Sequence, residues 1–514
     1  MILTDMEHQR LETVIGLEIH VQLRTKTKMF CGCDNDAENA APNTLMCPVC
    51  VGHPGTLQSP NTLAIRYAIR IGLALGCKIN SPIFFDRKHY IYPDLPKGYQ
   101  ISQFDVPVCG EGRLRVEIPS SKHGDIEIRI ERAHLEEDAA KNIHRNGQTL
   151  VDFNRAGTPL VEIVTRPDFR SPKEAKAFLQ ELRRIMRYLG VSNADMEKGH
   201  LRCDANISLR PVDERGLPIG RTYYPKTEVK NMNSFKAVER ALEFEIVRQT
   251  DLWSTNSPPA QTTTRGWNES KQTTELQRVK EDSADYRYMR EPDIPPIDLT
   301  DAIDEEKHRL PELPAAKRAR FKDEYGFGTK DVWALTDEPS TADFVERTMS
   351  ELVSWLVASP DTDGTPEEIA EAHRHALAKL ASTWIGTKLV GVLAARGESI
   401  STTDLSPENM AELMRLVFER KLNNTAALTV LEYMLDSGQG PETVMQERQL
   451  SSMDDETALG EIIDGILANH PSHVDDYKSG KTVLLQFFVG MVQKETGGKA
   501  NPHLTKSILE KKLR

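Results

Sequence analysis

No stretch of this 514-residue chain is apolar over anything like the ~18 residues that a membrane-spanning helix needs. Its first ten residues are polar and include Asp5 and Glu7, so a secretory leader is not expected, and a cytoplasmic location with no membrane partner is. Glycine (31) and proline (29) occur at ordinary levels, which excludes a large low-complexity tract. Positive charge is in deficit: the formal net charge of -12 argues against indiscriminate polyanion binding. The usual nucleotide and nucleophile signatures are missing as well. Gly480-Lys481-Thr482 ends like a phosphate loop, but Asp475 stands where that loop needs its first glycine. Gly110-Glu111-Gly112 lacks the third glycine of a dinucleotide fingerprint. With no G-x-S-x-G elbow and no Ser-Lys nucleophile run, hydrolase or amidase chemistry has no carrier in this chain.

What is present points elsewhere. The length calls for two to four domains, and a mean hydropathy of -0.47 is that of a soluble globular protein. Four of the seven cysteines form two close pairs, Cys31-Gly32-Cys33 and Cys47-Pro48-Val49-Cys50. In a reducing compartment this spacing suits a structural tetrahedral zinc on two knuckles rather than disulfides. Cys77, Cys109 and Cys203 lie apart and read as buried apolar thiols. The segment from Lys478 onward carries eight Lys/Arg against Glu495 and Glu510, a basic face on an acidic chain. Such a face can touch phosphates, although charge alone slightly favours a solvated C-terminal helix whose lysines serve solubility.

Period-two alternation predicts strands near 13–23, 113–118, 125–132, 148–154, 159–165 and 200–210. Helices are expected at 60–76, at 171–189 behind the Ser171-Pro172 cap, and from Ser234 to about 249. Few βαβ crossovers appear, so the fold class is α+β, a large mixed domain with antiparallel sheet over 1–298. A proline-rich acidic boundary then leads to a helical domain over 299–403 and a small helical-bundle tail over 404–514. The tail opens with the stripe Met410, Leu413, Met414, Val417 and Phe418. Its last helix is expected to start at Asn501-Pro502, after Gly497-Gly498.

Four segments bring polar chemistry out of apolar strands. On Val14–Leu23, Glu18, His20 and Gln22 share one face; on Leu201–Ser208, Arg202, Asp204, Asn206 and Ser208 do. His134-Leu135-Glu136-Glu137-Asp138 and the lone Glu162 of Leu160–Val164 supply the rest. Carboxylates gathered on an inward face repel one another unless a cation is present, and hard oxygen ligands suit Mg²⁺. The segment Phe85–Gln103 reads as a loop whose Lys88 and Lys97 can hold phosphate and whose Tyr90, Tyr92 and Tyr99 can stack on bases.

Together with Tyr92–Ser102, Asn154–Ile163, Glu228–Phe235, Asp285–Tyr288 and Glu291–Asp293, these motifs resemble the B subunits of the bacterial aspartyl/glutamyl-tRNA amidotransferases from about Glu12 to the C-terminus. The resemblance implies a cradle-shaped kinase-transamidase domain, a helical domain and a tRNA-binding tail. It implies an ATP-dependent ligase that phosphorylates the side-chain carboxylate of Glu-tRNA(Gln) or Asp-tRNA(Asn). Ammonia then displaces the phosphate. It would be supplied by a separate glutaminase, the A subunit, and a small C subunit would complete a heterotrimer. By motif, Glu18, His20, Glu136, Glu137, Glu162 and Asp204 are the implied Mg²⁺ residues, with Arg202 beside Glu18, His20 and Glu137 in catalysis. Lys88, Tyr90, Lys97 and Tyr99 would contact ATP or the acyl end, and Lys499, Lys506 and Lys511 the tRNA. Zinc on Cys31, Cys33, Cys47 and Cys50 rests on spacing. The rival reading of these arrays is a non-catalytic tRNA-binding scaffold in a multi-subunit complex.

Overall fold

The computed structural model describes residues 10–118, 124–279, 286–358, 364–448, 450, 456–496 and 500–513, with only the backbone of 502 and 503. The chain divides into two compact units, Met1–Ala315 and Ala316–Arg514. The first runs β1 (Leu11–Gln22), α1 (Thr62–Ala74), β2 (Asp86–His89), β3 (Tyr99–Ser102), β4 (Gly112–Val116), β5 (Ile126–Glu137), β6 (Lys141–Arg145), β7 (Gln148–Asp152), β8 (Pro159–Thr165), α2 (Pro172–Tyr188), β9 (Leu201–Pro211), β10 (Thr227–Met232), α3 (Phe235–Ser254), β11 (Thr263–Asn268), β12 (Thr273–Val279), β13 (Met289–Arg290) and α4 (Thr300–His308). Eight of these strands form one sheet in the order β12-β11-β10-β9-β1-β8-β5-β4. Every neighbouring pair is antiparallel except β10 with β11. The molecule is therefore α+β, with its helices gathered largely toward the C-terminus.

The alternation that predicts β1 also builds the core. Leu17, Ile19 and Val21 are buried on one sheet face with Ala205, Ile163 and Leu135, and the apolar stripes of α1, α2 and α3 (Ile65 and Ile69, Phe178 and Leu182, Val238 and Leu242) join the same cluster. Burying each large aliphatic side chain contributes about 1.5–3 kcal/mol before entropy is counted. Three helices thus cover one face and leave the other for polar side chains. The caps behave as the sequence predicts: Ser171 accepts from the Glu174 amide with Pro172 in the first turn, and Ser234 accepts from the Ala237 amide. The expected loop 85–103 is instead a β2–β3 hairpin, since Asp86, Arg87, Lys88 and His89 pair with Ser102, Ile101, Gln100 and Tyr99.

The helix α4 packs on α1. Its Glu306 is fully buried and accepts hydrogen bonds from Arg66 (2.9 Å) and Arg70 of α1. The second unit holds α5 (Pro314–Tyr325), α6 (Thr329–Leu335), α7 (Pro339–Val357), α8 (Pro366–Thr383), α9 (Val390–Ala395), α10 (Pro407–Phe418), α11 (Asn424–Ser437), α12 (Pro441–Glu447), α13 (Glu456–Asn469), α14 (Pro471–Lys478), α15 (Leu484–Glu495) and α16 (Pro502–Lys512). A π-turn over Trp384–Leu389 joins α8 to α9. The resulting helix Pro366–Ala395 is long and apolar enough to cross a membrane by length and composition. Lys379 and Lys388 interrupt that pattern, and its Leu377, Ala381, Trp384, Ile385 and Leu389 are buried. α10 packs on α7, so the turn at 402–406 bends the chain without separating two cores. Leu459, Ile463, Phe488, Val492 and Leu509 form a further small core among α13, α15 and α16.

Candidate active site

Register decides which polar residues meet. Glu18 of β1 lies opposite Asp204 of β9, His20 lies opposite both Arg202 of β9 and Glu162 of β8, and Glu162 lies opposite His134 of β5. Residues directly opposite share a face, so four strands contribute to one polar surface. His20 Nε2 stands 3.4 Å from both Glu136 Oε1 and Glu162 Oε2, and His134 Nε2 stands 3.4 Å from Glu162 Oε2. Ligand atoms of Glu18, His20 and Glu162 fall within 4.8 Å of one another, as do those of His134, Glu136 and Glu162.

The cluster carries more negative charge than its surroundings can hold. Burial, with the Glu162 charge second, pushes the carboxyls of Glu18 and Glu136 above the ordinary glutamate range. Burial also opposes the Glu162 charge, but His134 and His20 hold its carboxyl well below that range. Burial opposes the His20 charge too, yet Glu162 and Glu136 raise its pKa to about 9. Lys88, on β2, is desolvated and still held above the ordinary lysine range by Glu136 and neighbouring tyrosines. Its Nζ lies 4.7 Å from the Tyr286 ring centre and 5.6 Å from that of Tyr90. His134 Nδ1 is buried without a hydrogen-bond partner. A dication fits this donor set: the carboxylates are the oxygen ligands that Mg²⁺ takes, and added positive charge would relieve the raised carboxyl pKa values.

Several expected residues stand away from this group. Successive strand residues face opposite ways, and while Glu136 joins the cluster, Glu137 accepts hydrogen bonds from Lys97 and from the Ile101 amide (2.9 Å). Tyr99 accompanies Lys97, 5.5 Å from its Nζ to the ring centre, and receives a hydrogen bond from Gln58. The quartet expected to contact ATP is thus two pairs, Lys88 with Tyr90 and Lys97 with Tyr99. Asp204 forms an ion pair with Lys230 of β10. Arg202 donates to Asp138 Oδ2 (2.8 Å), which also accepts from Gln22 (3.0 Å). His134, Asp138 and Lys230 join the site although the motifs that contain them assign them no role. For His134, the period-two spacing to Glu136 is the signal that could have found it.

The four knuckle cysteines come together with their sulfurs within 4.8 Å. Thiolates about 2.3 Å from a tetrahedral zinc sit about 3.8 Å from one another, so the set fits that ion. The Cys47 amide donates to Cys50 Sγ at 3.1 Å, and the buried Lys28 ammonium lies 4.0 Å from the same sulfur. Hydrogen bonding from Cys31, against the effect of burial, lowers the Cys50 thiol to about 5, while the same hydrogen bond raises that of Cys31 and burial raises that of Cys33 to about 11. Asn154 ties this loop down, accepting from the Leu45 amide and donating to the Ala41 carbonyl. Gly157, beside Cys50, has φ +88°, a left-handed conformation that favours glycine. Cys77, Cys109 and Cys203 are buried.

In the second unit Lys506 lies 3.8 Å from Glu510 and Lys511 lies 3.4 Å from Glu456. Lys499 falls outside the described residues, as do Asp285 and Gly497-Gly498.

Residues 13–305 match the model of the GatB/GatE catalytic domain, and residues 367–513 that of the GatB domain. The B subunit of the aspartyl/glutamyl-tRNA(Asn/Gln) amidotransferase of Thermomicrobium roseum is 44% identical over 507 residues, 98% of each chain. The chain belongs to this family of B subunits. The Thermotoga maritima member is likewise 44% identical, over 98% of this chain and 99% of its own. That of Thermodesulfovibrio yellowstonii is 42% identical over 98% and 99%. Such coverage spans both units, so the family's sheet domain and its helical C-terminal region are both represented here.

Proposed function

We propose that this chain is the kinase-transamidase component of a tRNA-dependent amidotransferase, acting on Glu-tRNA(Gln), Asp-tRNA(Asn) or both. The observation that carries the reading is the cluster of half-buried Glu18 and His20 with buried His134, Glu136 and Glu162 on one sheet face, with Lys88 against it. Transfer of the ATP γ-phosphoryl group to a side-chain carboxylate brings two anions together. Mg²⁺ bound at these carboxylates would neutralise that charge. Around it the chain's own residues orient and shield. Lys88 places a cation beside the cluster, with the rings of Tyr90 and Tyr286 against its ammonium; closing the site to water on substrate binding would protect an acyl phosphate from hydrolysis. Arg202, locked by Asp138, points a second cation at the same edge. Ammonia then attacks the acyl carbon, the carbon–nitrogen bond forms, and phosphate leaves.

The family resemblance implies that ammonia comes from a separate glutaminase chain, with a small third chain completing the complex, and the lack of a nucleophile elbow in the sequence agrees with that. The relatives' description as B subunits agrees with such an assembly. Zinc on the four cysteines would be structural. The deciding experiment is transamidation by the purified complex with each misacylated tRNA, with and without ATP and Mg²⁺. Amide formation that requires both supports the reading; tRNA binding without turnover under any condition would leave the scaffold reading in its place.

A further inference from the structure

Lys28 is fully buried between the two cysteine knuckles, and a lysine is almost never fully buried without a partner for its charge. Its ammonium has three protons and three acceptors: the Leu45 carbonyl at 2.7 Å, the Phe153 carbonyl at 3.4 Å and Cys50 Sγ at 4.0 Å. Among the described residues no carboxylate stands at ion-pair distance from it. Lys97 and Lys317 make the contrast. Their side chains are almost as deeply buried, but the first pairs with Glu137 and the second with Asp343 and Glu346. Carbonyl dipoles solvate an ammonium without neutralising it. Of the three acceptors around Lys28, only the Cys50 sulfur can carry a negative charge, and it lies within 4.8 Å of the other three cysteine sulfurs.

The backbone puts the ammonium there. The Lys28 amide donates to the Cys33 carbonyl (3.0 Å), which fixes the residue to the first knuckle, and its side chain crosses to Leu45 and Cys50 of the second. The next amide, of Met29, donates to the Gly157 carbonyl (2.7 Å), and Phe153 opens the turn that precedes β8. Lys28 therefore joins both knuckles to that turn. Four thiolates around one zinc dication leave two surplus negative charges, which a low-dielectric interior penalises unless a cation lies close. We infer that Lys28 is the counter-ion of the zinc tetrathiolate, a positioning residue that halves the surplus charge and sets how tightly the metal is held. This rests on the zinc reading proposed above and adds the residue that balances the site.

The test is zinc affinity, measured by chelator competition on the full chain and on two variants. Lys28→Met keeps the apolar stem and removes the charge; Lys28→Gln also removes the charge but can still donate to a carbonyl. Groups that touch a ligand rather than the metal commonly change affinity by about 10- to 100-fold when removed, and that loss is expected in both variants. A loss below about fivefold in both, or recovery by Lys28→Gln alone, makes Lys28 a tether for the Leu45 and Phe153 carbonyls. Either result overturns the assignment and leaves the zinc reading standing. Absence of zinc from the unaltered chain overturns both. A second measurement separates charge from packing and covers a variant that does not fold. With Cys31, Cys33, Cys47 and Cys50 all replaced by serine, no thiolate remains to compensate the ammonium. Adding Lys28→Met to that chain should then raise its melting temperature, whereas the same substitution should lower that of the zinc-loaded chain. A fall in both backgrounds is what a packing role gives, and it overturns the assignment.

Discussion

The sheet cluster of the first unit and the lysines of the last helix both concentrate charge, in opposite ways. Glu136, Glu162 and His134 are buried, with His134 Nε2 3.4 Å from Glu162 and 3.9 Å from Glu136, so each charge alters its neighbours. Lys506 and Lys511 are exposed, and each faces one exposed glutamate. In low dielectric a change of one group is felt by all; at the surface, effects are small, additive and screened by salt. Buried clusters should therefore fail all at once on a single substitution, and the tail should decline in steps.

The largest effect is expected from Glu162→Gln. Glu162 belongs to both candidate ligand groups and bridges His20 and His134. Removing its charge should cost several kcal/mol of transition-state stabilisation, about three orders of magnitude in transamidation rate. Affinity for tRNA should change less than about twofold, because the groups expected to hold phosphate are untouched. A variant within tenfold of the normal rate would show that the cluster is structural.

Next comes a buried charge with no expected role in chemistry. Glu306→Gln leaves Arg66 and Arg70 facing an uncharged partner, and breaking a buried pair of this kind costs about 3–5 kcal/mol. Burial works against the Glu306 charge, but Arg70 and Arg66 hold its carboxyl below the ordinary glutamate range. A depressed folded pKa stabilises at pH values above the unfolded pKa, and the contribution disappears as pH falls through the folded value. Urea unfolding should therefore find the variant less stable at neutral pH and converging on the unaltered chain in acid. A constant gap across that range would assign the loss to packing.

The cysteine cluster tests the same contrast with a metal. Protein purified without chelator should hold about one zinc per chain, and Cys47→Ser should lower that content sharply. Proteolysis between residues 34 and 46 should accelerate in the variant, while the main sheet, whose core lies elsewhere, stays protected. Four freely reactive thiols and no zinc in the unaltered protein would remove the knuckle reading.

How much of the molecule is legible in its sequence depends on where a pattern runs long enough to fix its phase. β1 from Leu17 onward and β9 from Leu201 to Arg210 alternate apolar with polar residues, so the shared faces of Glu18 with His20 and of Arg202 with Asp204 are readable from period two. Alternation predicts β5 only as far as 132, whereas the strand runs to Glu137, so the opposite orientations of Glu136 and Glu137 are missed, and His134 is reached only by carrying the period-two pattern on to Glu136. The β2–β3 hairpin is hidden because its strands have four residues each and its turn carries Pro93 and Pro96. Partners across strands, such as Lys230 with Asp204, follow from register and not from spacing along the chain. The turn at 402–406 carries the signals of a boundary, but turn chemistry reports local backbone geometry, and only packing shows that α10 lies on α7.

That packing shapes the smallest prediction. Removal of everything after Leu405 would strip α10 from α7 and uncover the face of α7 that it packs on, so lost binding would report unfolding rather than lost phosphate contacts. Ending the chain after Gln449 removes α13 to α16, with their own core, and leaves the α7–α10 contact in place. If the tail docks tRNA, this deletion should weaken tRNA binding and flatten its salt dependence. Lys506→Ala/Lys511→Ala in the full chain should lower the slope of log K against log salt by at most about 0.9 per lysine. Their glutamate neighbours should make the observed change smaller, because Glu510 and Glu456 already offset part of each charge. Expected affinity loss for the pair is a few-fold at low salt, vanishing as salt rises. An unchanged slope in both the deletion and the double variant would show an ordinary solvated lysine face. An unchanged slope in the double variant alone would move the phosphate contacts to other residues of the same helices.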